Sequence, residues 1–306
     1  MFSRRHPYLF SLLVLSAIAA AAAVFISVAI FIFFNRSADS GLATEPGGEK
    51  VGIVELKGVI TESRETLQLL KRFREDEAIR AIVLRIDSPG GVIGPAQEIY
   101  REVRKTVEKK AVVASMGAIA ASGGYYVASA ADGIMANPGT ITGSIGVIIT
   151  YTNFRELLDR IGLQPVVIKS GPYKDAGSPT RSMSAAEKDL LQHFVDQTHR
   201  QFVRAIAEGR GMPLKDVEKI ADGRIFTGEE AQTLGFVDRM GNLEDAVQWA
   251  GRLAGITGPI STVYKRKEKF SLLRYLTETV LSGLKERSLS NALSGSYLLR
   301  PDAGGR

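Results

Sequence analysis

The chain has 306 residues, 45% of them hydrophobic and 24% charged, with a formal net charge of +6. That length holds one large domain or two ordinary ones, and a basic balance suits an anionic membrane surface or nucleic acid. No basic stripe interleaved with aromatics is present, which argues against nucleic acid; with no cysteine, disulfides, thiolate metal sites and cysteine catalysis are excluded.

Pro7 to Phe34 is an uncharged apolar run of about 28 residues. As a helix it would be about 42 Å long, enough to cross a hydrocarbon core of roughly 30 Å with some tilt. A cleaved leader has a shorter apolar region, roughly 7–15 residues, so residues 7–34 read as an uncleaved transmembrane anchor. Arg4 and Arg5 precede it, and Asp39 and Glu45 follow. The positive-inside bias makes residues 1–6 a cytoplasmic tip and places the body outside. Residues 35–50 are a Gly/Ser/Pro-rich linker.

The body, residues 51–264, alternates strands and helices. Val51–Leu56 reads as a strand, and Glu62–Asp76 as a helix with Leu67, Leu70 and Phe73 on one face. Ala81–Ile86 is a strand of the buried kind, ending in Asp87-Ser-Pro-Gly-Gly-Val92. Pro95 then starts a helix striped by Ala96, Ile99, Tyr100, Val103 and Val107. Strand Ala111–Ala114, helix Gly124–Ala131 and strand Gly133–Ala136 follow. Asn137–Gly146 reads as a loop, Val147–Thr150 as a strand, Phe154–Ile161 as a helix and Pro165–Ile168 as a strand.

After a loop over Lys169–Met183, Leu190 to Ile206 carries the stripe of a long amphipathic helix. Thr227-Gly-Glu-Glu230 reads as a capping box for a helix stopped by Gly235. Phe236–Asp238 reads as a short strand, and Asn242 caps a last helix carrying Trp249. The class is α/β. Residues 265–306 form a tail with the pattern of a basic amphipathic helix, suited to a membrane surface or to packing on protein; its Gly/Ser-rich end reads as disordered.

One stretch carries chemistry. Ala114 to Tyr126 is a run of small residues that sets Ser122 directly before Gly123 and Gly124. A serine nucleophile needs an exposed oxygen, little bulk and nearby N–H groups for the oxyanion, and the Gly123 N–H is suitably placed. Taken alone, the stretch reads better as a packing turn with a helix-capping serine. A second oxyanion donor fits at Gly90–Gly91, just past a parallel strand, where ligands of α/β sheets bind; a plain turn before a helix is the rival.

The base is the open question. His6 lies before the anchor, and His193 and His199 lie six residues apart on one helix, pointing different ways. No metal-binding spacing accompanies them. A lysine serves if burial lowers its pKa; moving it from about 10.4 to near 8 corresponds to roughly 3 kcal/mol. Lys174, in a loop crowded with turn formers, is the best placed, although on spacing alone a solvated lysine beside Asp175 is the better reading.

Four blocks then carry a resemblance: Leu84-Arg-Ile-Asp-Ser-Pro-Gly-Gly91, Ala114-Ser-Met-Gly to Ser122-Gly-Gly-Tyr-Tyr126, Thr140-Ile-Thr-Gly-Ser-Ile-Gly-Val147, and Lys169-Ser-Gly-Pro-Tyr-Lys-Asp-Ala-Gly-Ser-Pro179. In this order they resemble the short-form signal peptide peptidase A family, Ser/Lys endopeptidases of the Clp protease/crotonase fold. The resemblance implies a repeated β-β-α superhelix behind one N-terminal transmembrane helix. It implies Ser122 as nucleophile, Lys174 as general base, Gly91 and Gly123 as the oxyanion hole, and Ser144 as the residue that orients the lysine, with no cofactor or metal. It also implies a homo-oligomeric ring whose Ser and Lys meet at subunit contacts. The implied setting is the bacterial inner membrane, with the catalytic domain on the periplasmic side and apolar remnants of signal peptides as substrates. Rival readings are a related Ser/Lys membrane protease acting on defined proteins, a crotonase-type acyl-CoA enzyme, and a non-enzymatic ring scaffold.

Overall fold

The computed structural model describes residues 48–265, together with residues 8, 15, 16, 18 and 20–28 and the backbone of 42–44. Residues 20–28 are helical, and among the described residues no helix is long and apolar enough to cross a membrane. The rest of the expected anchor, His6 and the tail beyond Lys265 lie outside the described residues.

The body, Ala43–Lys265, forms one compact unit. Its strands are β1 (Leu42–Thr44), β2 (Glu49–Lys57), β3 (Ile79–Ser88), β4 (Ala111–Ala121), β5 (Gly133–Ala136), β6 (Ile141–Gly143), β7 (Ile225–Phe226), β8 (Arg239–Met240) and β9 (Ile260–Lys265). They form a sheet of order β1-β9-β2-β3-β4-β5-β8, parallel from β9 to β8. The far end of β4 pairs instead with β6, which pairs antiparallel with β7. The class is mixed α/β with a mostly parallel sheet, and β3, buried along nearly its whole length, reads as such a sheet requires.

The helices are α1 (Arg64–Glu75), α2 (Ile93–Val107), α3 (Gly123–Ala128), α4 (Arg155–Arg160), α5 (Ala185–Arg210), α6 (Leu214–Glu218), α7 (Gly228–Thr233) and α8 (Leu243–Leu253). One face of the sheet, with Val51, Ile53, Ala81, Val83 and Val113, buries Ala246, Val247, Trp249 and Ala250 of α8. The guanidinium of Arg239 lies 4.4 Å over the Trp249 ring. On the other face, α1 and α2 contribute the buried Leu70, Phe73, Ile99 and Val103. Burying each such side chain is worth about 1.5–3 kcal/mol.

Four segments depart from the sequence reading. The loop expected over Asn137–Gly146 contains β6, and the strand expected at Phe236–Asp238 forms instead at Arg239–Met240. Val147–Thr150 and Pro165–Ile168, expected as strands, pair with nothing among the described residues. Their β-branched residues face solvent instead, Val166 86% and Ile168 97% exposed. Strand propensity reports fit to a half-buried pleated surface, and without a neighbouring strand it produces no sheet. Residues 148–183 thus form an arm with little burial. It folds on itself where Tyr151 packs over Gly177 and the Phe154 N–H donates to Pro179 C=O.

Candidate active site

β3 and β4 bring the two glycine-rich turns together. β3 ends at Ser88, whose buried hydroxyl accepts the Gly90 N–H at 3.1 Å. Gly90 has φ +102, and a Cβ there would stand 2.7 Å from Gly123 N and 2.9 Å from Ser122 Cβ. Only glycine allows this approach. Gly91 is fixed by its neighbours: Ile60 N–H donates to Gly90 C=O at 2.9 Å, and Val92 N–H to Ile60 C=O at 2.7 Å. The Gly91 N–H itself is left without an acceptor among the described residues. A Cβ on Gly123 would lie 3.4 Å from Gly91 N, so the two amides belong to one small space.

Ser122 sits at the end of β4 with φ 51 and ψ −122. Apart from glycines, the residues with positive φ among those described are Ser122 and Ser144, both at φ 51. The Ser122 N–H donates to Gly143 C=O at 2.8 Å, and its C=O accepts the Tyr126 N–H of α3 at 2.8 Å. Its hydroxyl does not cap α3. The helix-capping reading is therefore overturned: the side chain lines a pocket, with Gly91 and Gly123 beside it. The Gly123 N–H, at the first position of α3, has no partner within the helix.

The pocket is walled by Ile93 and Ala96 of α2, by Tyr126 of α3, and by Thr198 and Phe202 of α5. The Tyr126 ring stands 4.9 Å from Phe202 and 5.0 Å from Tyr100, centroid to centroid. Burial pushes the Tyr126 phenol up from its ordinary value, so it stays neutral. Ile93 lines the pocket, whereas Ala120 and Ala121 are buried where β4 pairs with β6. The contribution of α5 was missed because Thr198 and Phe202 read only as a helix stripe.

Ser144 follows the glycine that holds Ser122 in place, and its N–H donates to Arg224 C=O at 2.7 Å. The β6–β7 pairing and the tight turn at Gly223 thus brace the segment that runs on through Gly146 and Val147 along the pocket. Lys174 is elsewhere. It is exposed on a turn of the arm, with its N–H to Gly171 C=O at 3.3 Å, and it does not line the pocket. The single chain therefore assembles Ser122, Gly91 and Gly123 with Ser144 alongside, and leaves Lys174 apart. His193 is exposed, His199 Nε2 is buried without a partner, and neither lines the pocket. Among the described residues no cluster of His, Cys, Asp or Glu has a metal-binding arrangement.

A serine forced into a glycine-like conformation beside two unpaired N–H groups is the arrangement of a serine hydrolase. Peptidase family S49 matches residues 104–257. A Synechocystis protein provisionally named a protease is 47% identical over 210 residues, covering 68% of this chain and 76% of that one. An Enterococcus faecium protein provisionally named signal peptide peptidase SppA is 34% identical over 250 residues, covering 77% and 73%. The Arabidopsis thaliana serine protease SPPA, chloroplastic, is 34% identical over 206 residues, 67% of this chain but 30% of that one. The chain belongs to peptidase family S49, and its activity is that of a serine peptidase.

Proposed function

We propose that this chain is a membrane-anchored endopeptidase of Clp/crotonase fold that uses a Ser/Lys dyad to degrade remnant signal peptides. Ser122 is the nucleophile, Gly91 and Gly123 hold the oxyanion, and Lys174 is the general base, oriented by Ser144. Lys174 takes the Ser122 proton as Oγ attacks the peptide carbonyl. It then returns the proton to the leaving amine, and water hydrolyses the ester through a second oxyanion. The apolar run 7–34 would hold the domain at the inner membrane, on the periplasmic side, where such remnants lie. The Enterococcus relative named for this substrate class supports the choice.

The observation that carries the reading is the exposure of Lys174 on an apolar arm. A lysine base needs burial away from water. Ile148, Val166 and Ile168 are 87%, 86% and 97% exposed, an apolar display that asks for a covering protein surface. A neighbouring copy in a ring would cover the arm and receive Lys174 beside its own Ser122.

Mixing two inactive variants tests this. Ser122→Ala supplies an intact lysine and Lys174→Ala an intact serine. Co-assembled in equal amounts, they regain about a quarter of wild-type activity if each site joins two chains head to tail. Mixed assemblies that stay inactive would place both residues in one chain. Mass spectrometry of products from a set of signal peptides tests the substrate assignment separately.

A further inference from the structure

The segment around Lys174 carries an ion network whose purpose the proposed mechanism leaves unexplained. The carboxylate next in sequence, Asp175, has both oxygens occupied. Arg181 Nε donates to Asp175 Oδ2 at 2.9 Å and Arg181 Nη2 to Oδ1 at 2.8 Å, while Lys169 Nζ reaches Oδ1 at 2.5 Å. Arg181 Nη2 also donates to the Asp175 C=O at 3.2 Å. The other side of Arg181 is held by Glu187: Nη1 donates to Oε2 at 2.9 Å, and Nη2 contacts Oε1.

Glu187 is the fixed end of the chain of contacts. Its side chain is 4% exposed, in the first turn of α5. It accepts the Ser184 N–H at 2.8 Å and donates its own N–H to Ser184 Oγ at 3.2 Å, a complete capping box. A fork-shaped guanidinium thus bridges two carboxylates in a way an ammonium cannot reproduce. The network contains two cations, Lys169 and Arg181, and two anions, Asp175 and Glu187. Lys174 enters no ion pair among the described residues. The Arg181 guanidinium, and after it Lys169, hold the Asp175 carboxyl well below the usual carboxylate range.

A carboxylate that pairs with a lysine keeps the amine protonated. A general base must start unprotonated to take the nucleophile's proton. We infer that Arg181 is a positioning residue that holds Asp175 off Lys174, leaving Lys174 as the one unpaired cation of its loop and available as the base. The inference rests on the assignment of Lys174 proposed above.

The test is the pH profile of peptide hydrolysis by the assembled full chain in detergent. In Arg181→Gln, Asp175 keeps only its contact with Lys169 and its freed Oδ2 can turn to Lys174. The rise of kcat/KM with pH moves upward by about one unit or more, and kcat/KM at neutral pH falls at least tenfold. Adding Asp175→Asn to that variant returns the rise to its wild-type position. Arg181→Lys, which cannot grip both carboxylates, is read the same way, so a glutamine variant that fails to assemble does not end the test. If the rise stays in place in both Arg181 variants, or Asp175→Asn fails to restore it, Arg181 only anchors the loop and the inference is wrong. Full activity in Lys174→Ala would instead overturn the base assignment, whatever the Arg181 variants do.

Discussion

At the scale of the residue, Ser122 is the point of strain. Its φ of 51 and ψ of −122 are those of the first central position of a type II′ turn, where glycine is preferred. A non-glycine residue in such a region costs about 1–3 kcal/mol and persists only when its surroundings impose it. Here the Gly143 C=O and the Tyr126 N–H grip its peptide groups on either side. Ser122→Gly should therefore melt above Ser122→Ala by about 1 kcal/mol, roughly 2–4 °C for a domain of this size, with both variants inactive. Differential scanning calorimetry of the two decides it; a glycine variant no more stable than the alanine variant would remove strain from the account. The serine and the paired glycines were legible because a run of small residues sets them apart in the sequence. The strain was not legible, because one of the two bonds that impose it comes from β6, a strand too short to leave a pattern.

At the scale of the element, helices with a long apolar stripe were readable. α1, α2, α5 and α8 stand where periodicity places them, and Asn242 caps α8 through the Asp245 N–H at 3.1 Å. Two- and three-residue strands were not, because their existence depends on a partner remote in sequence. The start of α5 was also unread, and it has a pH signature. Hydrogen bonds from Arg181, and then from the Ser184 N–H, lower the Glu187 carboxyl to about 2. A carboxyl lowered on folding contributes stability that is complete above its unfolded value of about 4.3 and is lost as pH falls from there through the folded value. Hydrogen exchange between pH 5 and pH 2 should therefore show the first turn of α5 losing protection before the amides of β3. Simultaneous loss at both places would mean that the cap has no separate role in acid.

At the scale of the whole body, the arm leaves an apolar face uncovered. Residues 148–183 put Ile148, Leu157, Val166 and Ile168 into solvent, and the same segment bears the one proposed catalytic group that the pocket lacks. A buried interface would explain both facts at once, since apolar cover and desolvation of Lys174 are the same event. Ile168 separates that account from the alternative in which the arm folds back onto its own body. It is 97% exposed, so Ile168→Asp removes no packing within the single chain. An isolated surface change of this kind moves stability by no more than about 0.5 kcal/mol. If the arm docks on a second copy, the same change buries an unpaired carboxylate at the contact, which is strongly unfavourable. Sedimentation velocity in detergent should then show Ile168→Asp as a smaller species with unchanged circular dichroism, and peptide hydrolysis should fall at least a hundredfold. Added Ser122→Ala chains should restore part of the activity, because their intact arms carry Lys174 to the unaltered Ser122 face of the variant. An Ile168→Asp variant that keeps both its sedimentation coefficient and its activity would put the covering surface for Lys174 somewhere other than this face of the arm.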